Sequence, residues 1–184
     1  CSPRQIPKNG VPCFSAAISG STNRRCSSSR IASCNAPTPG STISSARFDD
    51  LVGTNLRAPL FRSQAAAPEL RRTRGLILNL ADIHGMRPLR AHPVYSAAKA
   101  GLIMLTKSLA RELGPDVRVN AIARGPVLWP EGGLDPALQD EIVAKTALKR
   151  TGWPDDIARA AFFFAAEAPY VTGQILAVDG GRSI

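Results

Sequence analysis

Short apolar runs alternate with helical patterns between residues 48 and 184, and this alternation restricts the possible folds more than any other feature of the chain. The apolar runs predict buried strands at 75–81, 117–122 and 174–178. Apolar spacing, proline starts and glycine stops predict helices at about 48–70, 94–113, 135–149 and 154–167. Because strands that alternate with helices pack as a parallel sheet, we predict an α/β, doubly wound fold with helices on both faces.

Residues 1–47 differ in composition from the rest of the chain. They contain eleven serines and six basic residues but no acidic residue, and they show no sustained helical or strand periodicity. Three interpretations remain open for this segment: a disordered tail, an Arg- and Ser-rich transit segment, or a stretch read in the wrong frame, which we favour. The chain also begins at Cys1 rather than at methionine, which is typical of a fragment, a processed product or an imperfect translation.

The net charge of +9 belongs mainly to this N-terminal segment, which leaves +3 for residues 48–184. No nucleic-acid-binding motif accompanies the charge, so we predict no nucleic-acid partner. The longest apolar run, 160–166, is far shorter than a membrane span and predicts a buried helix. All four cysteines precede residue 48, without a C-x-x-C pair or a nearby histidine, which argues against a zinc site and fits a reducing, cytoplasmic location.

Tyr95 and Lys99 lie four residues apart near the start of a predicted helix, so their side chains share one face. An ammonium beside a phenol stabilises the phenolate, and we therefore expect Lys99 to lower the pKa of Tyr95 toward neutral pH. Such a tyrosine can act as a general acid or base. The spacing alone is also compatible with an aromatic residue that packs beside a solvated lysine. Asp82 follows a predicted strand, where ligands bind in parallel sheets.

Further motifs lie at ordered spacing around this pair. Asn55 is forty residues before the tyrosine, within Gly-Thr-Asn-Leu, and Tyr95 opens the stretch Tyr-Ser-Ala-Ala-Lys-Ala-Gly-Leu. Arg-Val-Asn-Ala, Val-Thr-Gly-Gln and Val-Asp-Gly-Gly follow at 118–121, 171–174 and 178–181. Together these motifs resemble the catalytic part of the short-chain dehydrogenase/reductase family, over roughly residues 48–184.

The resemblance implies a Rossmann-like sheet, NADPH as the cofactor, and a homo-oligomer, most often a tetramer in this family. The family's Gly-rich phosphate-binding turn lies about a hundred residues before its catalytic asparagine. Only 54 residues precede Asn55. We therefore expect the fold to be truncated at its N-terminus.

Asp82 stands thirteen residues before the tyrosine, where most members of the family carry a serine. Pteridine reductases carry an aspartate at this position, because a carboxylate can accept hydrogen bonds from an amino-pyrimidine edge. The stretch Val-Leu-Trp-Pro-Glu at 127–131 is also similar to bacterial pteridine reductases. The main prediction is thus an NADPH-dependent reductase of pterins. The alternatives are a reductase of another carbonyl, such as a 3-oxoacyl thioester, and an inactive remnant.

The resemblance also implies roles for individual residues. Tyr95 with Asp82 would supply or relay the proton to the substrate, and Lys99 would hold the nicotinamide ribose and tune the tyrosine. Asn55 would hold a water molecule that links Lys99 to solvent.

The resemblance also assigns roles to residues in the loop that follows the predicted strand at 117–122. Gly125 and Val127 would place backbone against the nicotinamide carboxamide. Trp129 would flank the substrate, or serve as a buried structural residue. Arg124 departs from the proline that the family usually has before this glycine, so the resemblance implies the loss of a rigid turn that helps to position the nicotinamide. His84 and His92 lack partners for a metal site, so we predict no metal and assign both to loops.

Overall fold

The computed structural model describes residues 17–19, 43–129 and 133–184. The strands are β1 (Ala17–Ser19), β2 (Leu76–Asp82), β3 (Arg118–Arg124) and β4 (Ile175–Val178). The helices are α1 (Ser45–Val52), α2 (Ala58–Thr73), α3 (Pro93–Leu113), α4 (Pro136–Ala144) and α5 (Pro154–Phe162). Two π turns, Gly53–Arg57 and Phe163–Glu167, follow α1 and α5, and a 3-10 turn, Ile83–Gly85, follows β2.

The strands form one parallel sheet in the order β1-β2-β3-β4. Helices α2 and α3 cover one face through a cluster that includes Ile77 and Val119. On the opposite face, Leu78 and Ile122 pack against Phe164 and the α5 segment. The alternation of side chains along each strand supplies both apolar faces. The predicted Rossmann-like α/β fold is confirmed.

Regular structure begins before residue 48, although residues 1–47 show no sustained periodicity. Strand β1, Ala17–Ser19, pairs with Ile77–Asn79 of β2, and α1 begins at Ser45 because the Ser44 hydroxyl accepts a hydrogen bond from the Arg47 N–H. A three-residue strand at a sheet edge needs backbone partners rather than a hydrophobic pattern, so composition does not reveal it. The interpretation of residues 1–16 and 20–42 lies outside the described residues.

The first predicted helix is interrupted rather than continuous. The π turn at Gly53–Arg57 separates α1 from α2, which then runs to Thr73. Helix α4 begins as predicted, with the Asp135 carboxylate accepting the Ala137 N–H, but ends at Ala144 rather than near residue 149. A buried Thr146 hydroxyl that donates to the Val143 carbonyl closes the helix at that point.

The prediction that residues 160–166 form a buried helix is wrong in part. Phe164 is 2% exposed, whereas Phe162 and Phe163 are 61% and 41% exposed. One face of this segment packs on the sheet, and nothing in the described part of the chain covers the other. Within residues 43–129 and 133–184, no helix combines the length and the apolar character that crossing a membrane requires.

A buried polar contact fixes α3 against β2. The Thr106 hydroxyl accepts a hydrogen bond from the Asn79 amide at 2.9 Å and donates to the Leu102 carbonyl at 2.8 Å, and both side chains are fully buried. Because Tyr95 and Lys99 are on the same helix, this contact also sets their height above the sheet.

We expect Thr106→Val to lower the free energy of unfolding by about 1–3 kcal/mol, because the buried Asn79 amide loses an acceptor. Urea unfolding measures the change. The matched control is Thr73→Val, since Thr73 donates to the Glu69 carbonyl on an exposed turn of α2; its effect should stay within about 0.5 kcal/mol. Equal effects at the two threonines would contradict this role of Thr106.

Candidate active site

Asp82 and Tyr95 are joined by a direct hydrogen bond. The Tyr95 hydroxyl donates to Asp82 Oδ2 at 2.9 Å, and the His84 backbone N–H donates to Asp82 Oδ1 at 2.9 Å. Asp82 is the last residue of β2, and Tyr95 lies in the first turn of α3. The predicted proximity of these two side chains at the carboxyl end of a strand is therefore present in the structure.

Lys99 lies buried beside this pair. Its Nζ donates to the Leu80 carbonyl at 3.0 Å and lies 5.8 Å from the centre of the Tyr95 ring. The ammonium has three N–H donors, and one of them is used by Leu80. Burial lowers the pKa of Lys99; Asp82 opposes this effect and Arg124 reinforces it.

The expected lowering of the Tyr95 pKa is wrong for this arrangement. Burial raises the pKa of Tyr95, and the Asp82 carboxylate raises it further by its charge and by the hydrogen bond, while Arg124 lowers it. The physical reason is that burial and the adjacent Asp82 carboxylate both favour the neutral phenol, while Lys99 donates to a backbone carbonyl and not to the phenol oxygen. Tyr95 is thus held as a neutral hydroxyl, the form from which a general acid donates.

A pH titration of stability tests this protonation state. The neutral Tyr95 stabilises the fold fully below the pKa of an unfolded tyrosine, about 10, and the contribution is lost as the pH rises toward the higher folded value. We therefore expect the wild type to lose stability relative to Tyr95→Phe as the pH rises above about 10. Urea unfolding at several pH values measures the difference, and parallel curves for the two proteins would rule the assignment out.

Asn55 lies in the π turn, and its side-chain amide donates to the Leu51 carbonyl at 2.9 Å. The turn packs against α3 where Leu56 meets Gly101; a Cβ on that glycine would lie 3.0 Å from Leu56 Cδ2. Gly101 thus permits the close approach of Leu56 to α3. A π turn at a functional position is common, but no hydrogen bond between Asn55 and Lys99 is present.

Gly125 begins the loop after β3. Its N–H donates to the Val178 carbonyl at 3.0 Å, and a Cβ on it would lie 2.7 Å from Asp179 Cα. The glycine therefore permits contact between the ends of β3 and β4, and its N–H is already used. Val127 packs near Gly152. Trp129 is half-buried and is the last described residue before the gap at 130–132, so the Pro130 and Glu131 of the predicted motif lie outside the described residues.

The motifs at 118–121, 171–174 and 178–181 lie at neighbouring positions around β3 and β4. The Asn120 side chain donates to the Val171 carbonyl and accepts the Gln174 N–H, each at 2.9 Å. The Asp179 carboxylate accepts the N–H groups of Gly181 and Ser183. These contacts hold β4 beside β3. An open cavity of about 450 Å³ lies against this region, lined by residues such as Pro126, Asp179 and Gly180, and none of Asp82, Tyr95 and Lys99 lines it.

Arg124 belongs to the site, which sequence reasoning did not predict. Its Nη2 lies 3.9 Å from Asp82 Oδ2. The sequence marked the residue as a departure from the usual proline and assigned it only a disturbed turn. The signal that could have identified the contact is its position at the end of a strand that pairs with the strand of Asp82.

A parallel α/β sheet with a carboxylate at the end of one strand, and a tyrosine and a lysine on the helix beside it, defines the class of fold, which is Rossmann-like. The chain belongs to the short-chain dehydrogenase/reductase family. A family model described as enoyl-(acyl carrier protein) reductase matches residues 29–183. The match begins earlier than residue 48, where the sequence analysis placed the start of the resemblance. Whether residues before that start are a tail, a transit segment or out of frame stays a prediction.

Several curated relatives are named for a 3-oxoacyl thioester substrate and not for a pterin. The chain is 35% identical to the 3-oxoacyl-[acyl-carrier-protein] reductase FabG of Chlamydia trachomatis, over 77% of this chain and 58% of that protein. It is 38% identical to protein FixR of Bradyrhizobium diazoefficiens, over 71% of this chain and 47% of that protein. The chain therefore spans about half to three-fifths of the length of these relatives.

Solved structures of the family superpose well on the described fold. A short-chain dehydrogenase from Leptospira borgpetersenii with bound NAD+ gives a TM-score of 0.72 at 32% identity, covering 80% of this chain and 60% of that one. A blue fluorescent protein from a metagenomic library in complex with NADPH gives 0.73 at 32% identity, with the same coverage. Similar structures thus hold either dinucleotide.

Proposed function

We propose that this chain is the catalytic part of a reductase that acts on a carbonyl group, and that a 3-oxoacyl thioester is its substrate class. The observation that carries the proposal is the half-buried, neutral Tyr95 hydroxyl at the carboxyl ends of β2 and β3, with the Lys99 ammonium beside it. The similarity to 3-oxoacyl-[acyl-carrier-protein] reductases supports the choice of substrate class.

The residues present fit the nicotinamide end of a dinucleotide. Lys99 has two N–H donors beyond the one that Leu80 accepts, and these would hold the ribose hydroxyls. Gly125 and Val127 would lie against the nicotinamide, although the Gly125 N–H is engaged with Val178. We assign NADPH as the cofactor; when bound, it supplies the hydride.

The proton for the reduction comes from the protein. As the carbonyl carbon gains a hydride, the electron pair of the C=O bond moves to oxygen, and the Tyr95 O–H bond breaks to protonate that oxygen. The product is a hydroxyl group, and Tyr95 becomes a phenolate. Lys99 stabilises the phenolate as it forms, because the ammonium lies beside the ring. Asn55 would hold a water molecule through which the tyrosine regains its proton.

A pterin is the second candidate substrate, and Asp82 is the observation that favours it. The carboxylate is buried and bonded directly to Tyr95. It could accept a hydrogen bond from the amino group of a pterin while Tyr95 passes a proton to a ring nitrogen. Trp129 would flank the planar ring.

The proposal also includes a cytoplasmic location and a homotetramer. Sedimentation of the purified chain measures the number of subunits in the assembly.

Cofactor binding is the first test of both candidates. NADPH and NADH are titrated against this chain by fluorescence, and we expect saturable binding of NADPH. No binding at near-millimolar dinucleotide would contradict both substrate assignments for this polypeptide and support an inactive remnant. Lys99→Met serves as the control, since it removes the donors assigned to the ribose and should weaken binding.

Turnover with a 3-oxoacyl thioester and with a dihydropterin separates the candidates. We expect the thioester to be reduced faster by the wild type. If the pterin is the substrate, Asp82→Ser abolishes dihydropterin reduction and leaves dinucleotide affinity nearly unchanged. If the thioester is the substrate, the hydroxyl introduced by Asp82→Ser can orient the carbonyl group, and the variant continues to reduce the thioester. Faster dihydropterin turnover that depends on Asp82 would overturn the first assignment.

A further inference from the structure

Arg124 occupies a place in the site that the proposed reaction does not use. It is the last residue of β3, and its partner in the sheet register is Asp82, the last residue of β2. Side chains of register partners leave the sheet on the same face. The two charges therefore face each other at the carboxyl ends of the strands, with 3.9 Å between Arg124 Nη2 and Asp82 Oδ2.

We propose that Arg124 is a positioning residue of the active site: its guanidinium pairs with the Asp82 carboxylate, and the two charges together set the electrostatic environment of Tyr95 and Lys99. For its effect on turnover, the inference rests on the proposed function. The pairing itself rests on the geometry alone.

The surroundings of Asp82 show why a cation is needed. Its side chain is 9% exposed, and its two oxygens accept hydrogen bonds from neutral groups, the His84 N–H and the Tyr95 hydroxyl. A carboxylate with so little water requires an opposite charge to offset the cost of burial. Lys99 directs an N–H to the Leu80 carbonyl. The ion pair with Arg124 meets the requirement directly.

The two charged side chains differ in exposure, and this difference makes the ion pair energetically favourable. The Arg124 side chain is 40% exposed, against 9% for Asp82. The guanidinium thus keeps part of its hydration while it neutralises a buried partner, and the cost of burying two charges is avoided. Its five N–H donors also allow contact with water on one side and with the site on the other.

Arg124 and Asp82 act in opposite directions on both catalytic groups. Burial is the main reason that the pKa of Tyr95 is raised; Asp82 adds to the rise and Arg124 reduces it. Burial is also the main reason that the pKa of Lys99 is lowered, and there Asp82 acts upward and Arg124 downward. The charged groups that face the tyrosine are thus Asp82 from β2, Arg124 from β3 and Lys99 from α3. Removing Arg124 leaves Lys99 as the cation among these three groups that offsets the carboxylate.

The titration of Lys99 tests the pairing without any substrate. Lysine labelled with carbon-13 is incorporated into the full chain, the ε-methylene signals are followed against pH by NMR, and Lys99→Arg identifies the signal. We expect the Lys99 midpoint to move to higher pH in Arg124→Gln, to stay near the wild-type value in Arg124→Lys, and to return toward it in Asp82→Asn/Arg124→Gln. The exposed Lys107 is the internal reference and should not change among the variants.

An unchanged Lys99 midpoint in folded Arg124→Gln would overturn the proposal. If Arg124→Gln does not fold, the double variant Asp82→Asn/Arg124→Gln decides the question. A folded double variant supports the ion pair, because the glutamine then prevents folding only when the Asp82 carboxylate is present. Failure of both variants to fold overturns it, since Arg124 would then be needed for another reason.

A kinetic measurement extends the test to the reaction. We expect Arg124→Gln to lower kcat by about tenfold with little change in KM, because proton donation is impaired and not substrate binding. The alkaline limb of the rate profile should move to higher pH, and Arg124→Lys should restore both values. A rise in KM alone would overturn the positioning role. Absence of turnover in the wild type contradicts the proposed function and leaves the lysine titration as the deciding result.

Discussion

Tyr95→Phe is expected to lower kcat/KM for carbonyl reduction by at least about a hundredfold. The substitution removes the hydroxyl that donates to Asp82 and keeps the ring, so the loss measures proton donation and not packing. General acids of this kind contribute about two to four orders of magnitude to a rate. Stopped-flow or steady-state loss of NADPH absorbance gives the rate, with the dissociation constant of NADPH measured beside it.

The chain provides a matched control for this substitution. Tyr170 is the other tyrosine of the sequence and its side chain is fully exposed. Tyr170→Phe should therefore leave kcat/KM unchanged. A Tyr95→Phe protein that reduces the substrate within a few-fold of the wild-type rate would exclude Tyr95 as the proton donor.

Gly85→Ala is expected to be among the most destabilising single substitutions in the chain. A Cβ at this position would lie 2.8 Å from the backbone carbonyl carbon and oxygen of Lys99, and 2.8 Å from Ile103 Cδ1. The Ile103 side chain can move, but the Lys99 carbonyl belongs to α3 and moves only with the helix. We expect a loss of about 3 kcal/mol in the free energy of unfolding, together with displacement of Lys99 from the Leu80 carbonyl.

Gly53→Ala is the control for the added methyl group. Nothing lies within 4 Å of a Cβ at Gly53, and that glycine has a right-handed helical conformation. The alanine should be neutral or slightly stabilising there. Urea unfolding of the two variants, with amide NMR spectra to follow the residues around Lys99, distinguishes the effects. Similar stability of the two variants would show that the 3-10 turn moves aside without disturbing α3.

Several parts of the fold could be predicted because the determining signal is local. The apolar runs at β2 and β3 have too little polar character for an exposed strand, and Asp135-Pro136 marks a helix start by its own chemistry. The spacing of Tyr95 and Lys99 places them on one face of any helix. Family membership followed from ordered motifs, and the comparisons confirm it. The pterin specificity stays a prediction, and the relatives' names favour the alternative.

Other parts could not be predicted because they depend on which surfaces meet. The apolar composition around Phe163 predicts a buried segment, but burial requires a neighbouring surface on each side. In the described part of the chain, only the side that carries Phe164 has such a surface. The π turn at Gly53–Arg57 leaves no mark in the hydrophobic pattern. The pKa of Tyr95 was predicted in the wrong direction because sequence spacing shows neither the burial of the phenol nor its hydrogen bond to Asp82.

The alternation of strands and helices can be predicted from the amino-acid sequence, and with it the parallel sheet and the end of that sheet at which the polar residues gather. The spacing of Tyr95 and Lys99 places them on one helix face, and the family resemblance implies that Asp82 lies beside them. The position of Arg124 opposite Asp82, which lies forty-two residues earlier in the chain, emerges from the pairing of β2 with β3. The register between two strands is set by the packing of both sheet faces at once, and no local pattern in either strand specifies it.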